Sequence, residues 1–230
     1  MRALDRLKRS LRKRALFRKF GEQWKSDGEA FQKRRYDSYE AYLEHQKAKL
    51  ETHEFGPYDQ EFREALRGRL TSLDIDWHGR NVLCLGARIG TEVKAFLDLG
   101  ASAMGIDLNP GKENRYVVQG DFHDLQFAPN SIDVVYTNSL DHAFDIDRLA
   151  KEVLKVLKPD GVFVVEAVQG RDQGINPGFF ESFFWKNIDE LVRVIETAGF
   201  TVSCRTAISH PWPGEQICLS RSGDLKSPTK

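Results

Sequence analysis

Between Asn81 and Glu92 the chain reads NVLCLGARIGTE, a strand-like apolar run that breaks into glycine, three residues and a second glycine. Glycine at positions 86 and 90 lets the backbone approach a ligand closely, and a helix starting there offers free N–H groups to an anion. Asp107 follows Gly86 by 21 residues, at the end of the next apolar run. A carboxylate in that place accepts hydrogen bonds from ribose hydroxyls. The chemistry so encoded is binding of a nucleotide-like cofactor beyond the carboxyl ends of parallel strands. Arg88 stands where such loops carry a middle glycine. Three readings are open: its guanidinium clamps a ligand carboxylate, it pairs with Glu92 or faces solvent, or it fills the pocket and abolishes binding.

A second constellation could move protons. Asn138-Ser139-Leu140-Asp141-His142 follows the apolar run Ile132–Asn138, and His142 is the candidate base, with Asp141 or His123 as supports. A structural, hydrogen-bonded histidine is the competing reading. His123, Asp141 and His142 lack the tight spacing of metal ligands, and no metal is expected. The aromatic segment Gly178–Trp185 reads either as a lid or acceptor wall, or as the apolar front of the next helix.

The elements that must position these residues are legible as short apolar runs alternating with helical patterns, the pattern of a parallel sheet covered on both faces. Strands are expected at Val82–Leu85, Ala103–Asp107, Ile132–Asn138, Val162–Ala167, Thr201–Ile208 and Gln216–Ser220, and helices at Thr91–Asp98, Ile146–Val156 and Phe184–Ala198. Only eight residues separate Asp107 from Tyr116, too few for a crossover helix, so the strand near Tyr116–Val118 should be stunted. The first seventy residues read as helices. Leu4, Leu7, Leu11 and Ala15 share one face; Tyr36, Tyr39, Leu43 and Leu50 make a second stripe; Phe62, Leu66, Leu70 and Leu73 make a third, with Asp59 as its N-cap.

With Gly120-Asp121-Phe122, Asp133–Tyr136 and the run Glu152–Val162 containing LKPDG in place, the sequence resembles the class I S-adenosylmethionine-dependent methyltransferases, in particular their small-molecule group. The resemblance covers Asn81–Ala167 well and Trp185–Ser220 more loosely. It implies an α/β, Rossmann-like, mostly parallel sheet with helices on both faces, S-adenosyl-L-methionine as cofactor, and methyl transfer to a small-molecule or lipid- or sugar-linked acceptor. It implies that Gly86, Arg88 and Gly90 surround the methionine portion, Asp107 holds the ribose, and Leu108 flanks the adenine. Asp121 would accept from the adenine amino group beside Phe122, and Asn138 would lie under the sulfonium. The acidic residue often found before the first glycine is here Cys84. The rival functions are a methyltransferase-like binding module without catalysis and a nicotinamide-dependent oxidoreductase, whose loop would want GxGxxG.

Bulk properties set the frame: residues 1–75 as a basic helical extension, 76–222 as the methyltransferase-like domain, 223–230 as a polar tail. Lys/Arg and Asp/Glu number 34 each, yet residues 1–20 hold nine basic residues against Asp5. The body is therefore acidic and no specific nucleic-acid partner is expected. The basic arm reads as a surface for anionic membranes or polyanions, as a solvated helix, or as a helix packed across the active-site mouth. The three cysteines show no CxxC spacing, and no apolar run approaches the roughly 20 residues that span a bilayer, so a cytoplasmic protein is expected, with peripheral membrane attachment through the arm as the variant.

Overall fold

The computed structural model describes residues 2–21, 23–52 and 56–223, the side chains of 2–6 and 56–58 excepted. The chain begins with α1 (Arg2–Phe20), the strands β1 (Trp24–Asp27) and β2 (Phe31–Arg34), α2 (Tyr39–Lys47), the short α3 (Lys49–Thr52) and α4 (Gly56–Thr71). There follow β3 (Asn81–Leu85), α5 (Thr91–Asp98), β4 (Ser102–Asp107), β5 (Val117–Gln119), β6 (Ile132–Thr137), α6 (Ile146–Val156) and β7 (Leu157–Val168). The last elements are β8 (Phe183–Trp185), α7 (Ile188–Thr197), β9 (Phe200–Ile208) and β10 (Gly214–Arg221). Single 3-10 turns occupy Leu140–His142 and Arg171–Gln173.

The main sheet runs β5-β4-β3-β6-β7-β10-β9. Its first five strands are parallel, while β10 is antiparallel to β7 and β9. Leu85 pairs with Ile106 on one side and Thr137 on the other, which brings the carboxyl ends of β3, β4 and β6 into line. The chain leaves β3 in opposite directions at this point, the place where open sheets form a ligand crevice. Successive residues along each strand face opposite layers: Leu83, Leu85 and Val135 pack on α6 and α7, whereas Val82, Cys84 and Val134 pack on α4 and α5. The α4 stripe Phe62, Leu66 and Leu70 is fully buried, so this helix is part of the second layer.

As expected, no helix connects β4 to the three-residue β5. Asn114 organises that connection instead. Its amide donates to the carbonyls of Arg88 and Pro110 at 3.1 and 2.9 Å and its oxygen accepts from the Tyr116 and Val117 N–H groups. Asp59 does not cap α4, which starts three residues earlier; its carboxylate instead takes hydrogen bonds from Thr91 and Lys94 of α5. In α1 the buried positions are Leu16 and Phe20, and Leu7 and Leu11 of the expected stripe face solvent. In α2–α3 the buried face is Tyr42, His45 and Ala48, one position round from the expected Tyr39–Leu43–Leu50 stripe.

The all-helical reading of the first seventy residues fails at Trp24–Arg34. These residues form a hairpin turned at Gly28, where φ is +67°, and β2 adds antiparallel to β8 with Phe31 opposite Trp185. The expected helix from Phe184 accordingly starts only at Ile188, capped by the Asn187 side chain. Four-residue strands paired with a segment some 150 positions away leave little local signal, because sheet propensity reflects cross-strand partners.

Arg34 closes this hairpin onto the body. It is only 5% exposed, and its guanidinium donates to four carbonyls: Phe20 at 2.6 Å, Gly21 at 3.1 Å, Gly178 at 3.1 Å and Glu181 at 2.9 Å. The first two terminate α1, where a cation also meets the negative end of the helix dipole. Arg34→Leu should lower unfolding free energy by about 3 kcal/mol, since it strands buried acceptors. Arg34→Lys should recover only part, because an ammonium lacks the planar fork. Denaturant titration of the three proteins measures this, and equal midpoints for Arg34→Leu and wild type would show that the clasp carries no stability.

Candidate active site

The glycine loop is held from below. Gly86 and Gly90 have φ of +68° and +84°, and a Cβ at either would collide with Ser139 (2.8 Å) or Tyr116 (2.6 Å). Arg88 itself lies at φ +45°, a conformation costing an L-residue about 1–2 kcal/mol. Asp107 fixes the loop by accepting from the Arg88 N–H at 3.0 Å with one oxygen and the Asn109 N–H at 2.8 Å with the other. Each oxygen keeps a lone pair for a ligand hydroxyl.

The Arg88 guanidinium lies 3.8 Å from Glu92, one helical turn on. Glu92 is 2% exposed, accepts from the Asn138 amide at 3.3 Å, and leaves Oε2 without a hydrogen-bond partner. Burial pushes its carboxyl above the usual carboxylate range, and the nearby Arg88 charge opposes that shift. The carboxylate thus sits beneath the loop close to Cys84, whose own pKa burial and Glu92 push up. Arg88 lines the crevice.

Two adjoining cavities open at the sheet edge. The first, about 50 Å³, is lined by Gly86, Arg88, Asp107, Leu108 and Phe122 from the sheet side, and is roofed by Tyr42, Gln46, Lys49 and Leu50 of α2–α3. The second, about 280 Å³, includes Asn138, Asp141, Glu181, Phe184, Trp185 and Trp212. Lys49, Arg88 and His142 line both. Of the candidate cofactor-binding and catalytic residues singled out in the sequence, Gly90, Asp121 and His123 line neither. Gly90 backs the loop against Tyr116, and Asp121 is engaged by α2, accepting from the Tyr39 hydroxyl. Burial raises the Asp121 carboxyl, but hydrogen bonds from His123 and Tyr39 outweigh it and the net shift is downward.

His142 and Asp141 reach the second cavity together, 3.8 Å apart. Nδ1 of His142 lies 2.9 Å from the Phe180 carbonyl, which can only accept, so Nδ1 carries the proton and Nε2 is the basic nitrogen. Lys49 Nζ donates to that nitrogen at 2.6 Å. Burial holds the Lys49 ammonium down to about 8, with Arg88 adding to the effect. His123 is not a support for His142; it bonds Asp121 and Tyr39 through Nδ1 and accepts from the Phe144 and Asp145 N–H groups. Phe180 packs under α1 with Leu16, Phe20 and Ala48, whereas Phe184 lies on β8 and lines the second cavity.

Sequence reasoning missed Lys49 and Glu181. Lys49 lies 93 residues from His142, and no spacing rule connects them. Among the described residues, Asp141, His142 and Glu181 form a group whose ligand atoms lie within 4.8 Å of one another, a set that differs from the His123, Asp141, His142 combination considered in the sequence.

Residues 83–165 match the family model described as a methyltransferase domain. A probable S-adenosylmethionine-dependent methyltransferase of Mycolicibacterium smegmatis is 29% identical over 147 residues, 57% of this chain and 56% of that protein. A sterol 24-C-methyltransferase of Aspergillus fumigatus is 34% identical over 105 residues, 38% of this chain and 27% of that protein. The chain therefore spans about half, or less, of the length of these curated relatives. The solved Burkholderia thailandensis 1,6-didemethyltoxoflavin-N1-methyltransferase, bound to 1,6-didemethyltoxoflavin and S-adenosylhomocysteine, superposes with a TM-score of 0.61 at 15% identity, over 87% of this chain and 100% of that one. At that identity the likeness establishes the fold.

Burial lowers both His45 and His142 to about 3, from an ordinary value of 6.5. Between those values the unfolded chain takes up protons that the fold refuses. Stability therefore rises with pH through this window and is lost as pH falls below about 6.5, by about 1 kcal/mol per pH unit for each histidine. His142→Gln should remove one such contribution from the slope of stability against pH, measured by urea titration. An unchanged slope would mean that His142 is protonated in the folded chain.

Proposed function

We propose, from the match of residues 83–165 to the methyltransferase-domain model and the likeness to an S-adenosylmethionine-dependent relative, that this chain transfers a methyl group from S-adenosylmethionine to a small-molecule or lipid- or sugar-linked acceptor. The observation that carries the reading is the alignment of the Gly86–Gly90 loop with Asp107 at one sheet edge, beside a second cavity that shares Arg88 and His142. When bound, the cofactor supplies an electrophilic methyl group on a sulfonium. Asp107 would take the ribose hydroxyls with its free lone pairs, Leu108 and Phe122 would flank the adenine, and Asp121 would accept its amino group. Gly86, Arg88 and Gly90 would surround the amino-acid end, with Asn138 beneath the sulfonium. Once Lys49 withdraws, His142 Nε2 would receive a proton from the acceptor, and Asp141, whose Oδ1 lies 3.8 Å from that nitrogen, would stabilise the charge so formed.

The helices α2–α3 roof the first cavity, and we infer that they lift to admit the cofactor, with Tyr39 releasing Asp121. The same closed roof favours a second reading, a methyltransferase-like module that no longer turns over. Calorimetric titration with S-adenosylmethionine, S-adenosylhomocysteine and NAD separates the readings, and binding of NAD alone would point to a nicotinamide enzyme.

Two variants test the assigned roles. Asp107→Ala should weaken cofactor binding on the order of tenfold to a hundredfold, as expected for lost charge-assisted hydrogen bonds. Arg88→Ala should weaken it on the order of tenfold if the guanidinium takes the cofactor carboxylate. Tighter binding by Arg88→Gly than by wild type would instead make Arg88 an obstruction and sink its role as clamp.

The arm is proposed to rest on an anionic membrane surface. Leu7 and Leu11 are 57% and 56% exposed on the basic α1, opposite its buried Leu16 and Phe20. Among the described residues no helix is long and apolar enough to cross a membrane. The double variant Leu7→Gln, Leu11→Gln should lose most salt-sensitive co-sedimentation with phosphatidylserine vesicles while keeping its charge. Equal sedimentation of variant and wild type would reduce the arm to a solvated helix.

A further inference from the structure

The second cavity holds carboxylates whose hydrogen-bonding capacity is not met. Glu166 on its wall is neutralised by Arg69, whose guanidinium reaches both carboxylate oxygens at 2.7 Å, and Arg88 lies against Glu92. Asp141 and Glu181 remain; Lys49 lies close to both and they help to retain its charge, while Arg88 also faces Asp141 and Arg34 also faces Glu181. Oδ1 of Asp141 and Oε2 of Glu181 are buried with no hydrogen-bond partner among the described residues, an unfavourable condition that a donor ligand would relieve. Asp141, Glu181 and His142 converge within 4.8 Å, and the Lys49 ammonium already sits on His142 Nε2 at 2.6 Å.

We propose that this site takes the amino group of an amine-bearing methyl acceptor, with Asp141, Glu181 and His142 Nε2 as its hydrogen-bond acceptors and Lys49 as the chain's own stand-in for it. Calling the ligand an acceptor rests on the methyltransferase reading; the amine site does not. Lys49 belongs to α3, which roofs the cofactor cavity, so lifting that roof withdraws the stand-in and vacates the site together. A divalent cation could use the same three ligand atoms, but the walls favour an organic cation. Phe184, Trp185 and Trp212 line the cavity, and aromatic faces attract a positive charge.

Gly178 gives the site a second handle. A Cβ there would lie 2.6 Å from Glu181 Oε2, at an ordinary backbone angle and against the movable end of a side chain. Gly178→Ala should therefore push the carboxylate aside without straining the loop.

The test titrates benzylamine, and benzyl alcohol as its neutral analogue of the same shape, into the full chain saturated with S-adenosylhomocysteine, followed by tryptophan fluorescence. Benzylamine should bind at millimolar concentration, and benzyl alcohol on the order of tenfold more weakly. Glu181→Gln and Gly178→Ala should each weaken benzylamine on the order of tenfold with S-adenosylhomocysteine affinity unchanged, and Lys49→Met should tighten it by a similar factor. Equal binding of the alcohol, indifference to Glu181→Gln, no benzylamine binding at all, or zinc binding to Lys49→Met that excludes the amine would each overturn the proposal. Failure of S-adenosylhomocysteine to bind would overturn the methyltransferase reading alone, since benzylamine can then be titrated into Lys49→Met, whose site lacks the stand-in without any cofactor.

Discussion

The buried Arg34 guanidinium is the constraint on which the site's geometry depends. By donating to carbonyls at the end of α1 and in the 178–181 loop, it fixes that loop against a segment from the other end of the chain. The loop then passes the constraint on. The Phe180 carbonyl sets the His142 tautomer and also receives the Gln46 amide, and the Ser182 N–H donates to the Asp141 carbonyl at 2.7 Å. A guanidinium suits this place because it offers five donors in a fixed plane and has little tendency to lose its proton.

The glycine loop shows how two departures from the methyltransferase pattern that the sequence resembles can be consistent with each other. Arg88 in the left-handed region is unfavourable for an L-residue, and such outliers persist where the side chain is held. Here it is held by backbone contacts to Asp107 and Asn114 and by the Glu92 carboxylate one turn later. Cys84 leaves a small, apolar floor below, and the buried Glu92 carboxyl, held above its usual range by desolvation, lies beneath the loop.

Burial governs the electrostatics throughout. Glu166 is tolerated in the core because Arg69, Gln216 and Tyr136 all donate to it, and the pair ties α4 to the sheet. Lys49, His142 and Asp141 are all displaced towards neutrality by the same desolvation. The roof formed by α2 and α3 produces that desolvation, so the arm shapes the chemistry as well as covering it.

The sequence by itself determined the sheet and the cofactor edge. Strands buried on both faces read as continuous apolar runs, and Thr91–Asp98 and Ile146–Val156 fall where the periodicity puts them. The positions of Gly86 and Asp107 were legible because a left-handed turn and a strand end are local properties. The β1–β2 hairpin, the shifted face of α2 and the start of α7 were not, since each is decided by a partner far along the chain. The same holds for the proton-handling group. His142 is marked by its place after β6, but Lys49 and Glu181 acquire their roles only when the fold carries them into one desolvated cleft, and desolvation is a property of the packed chain that no spacing of residues encodes.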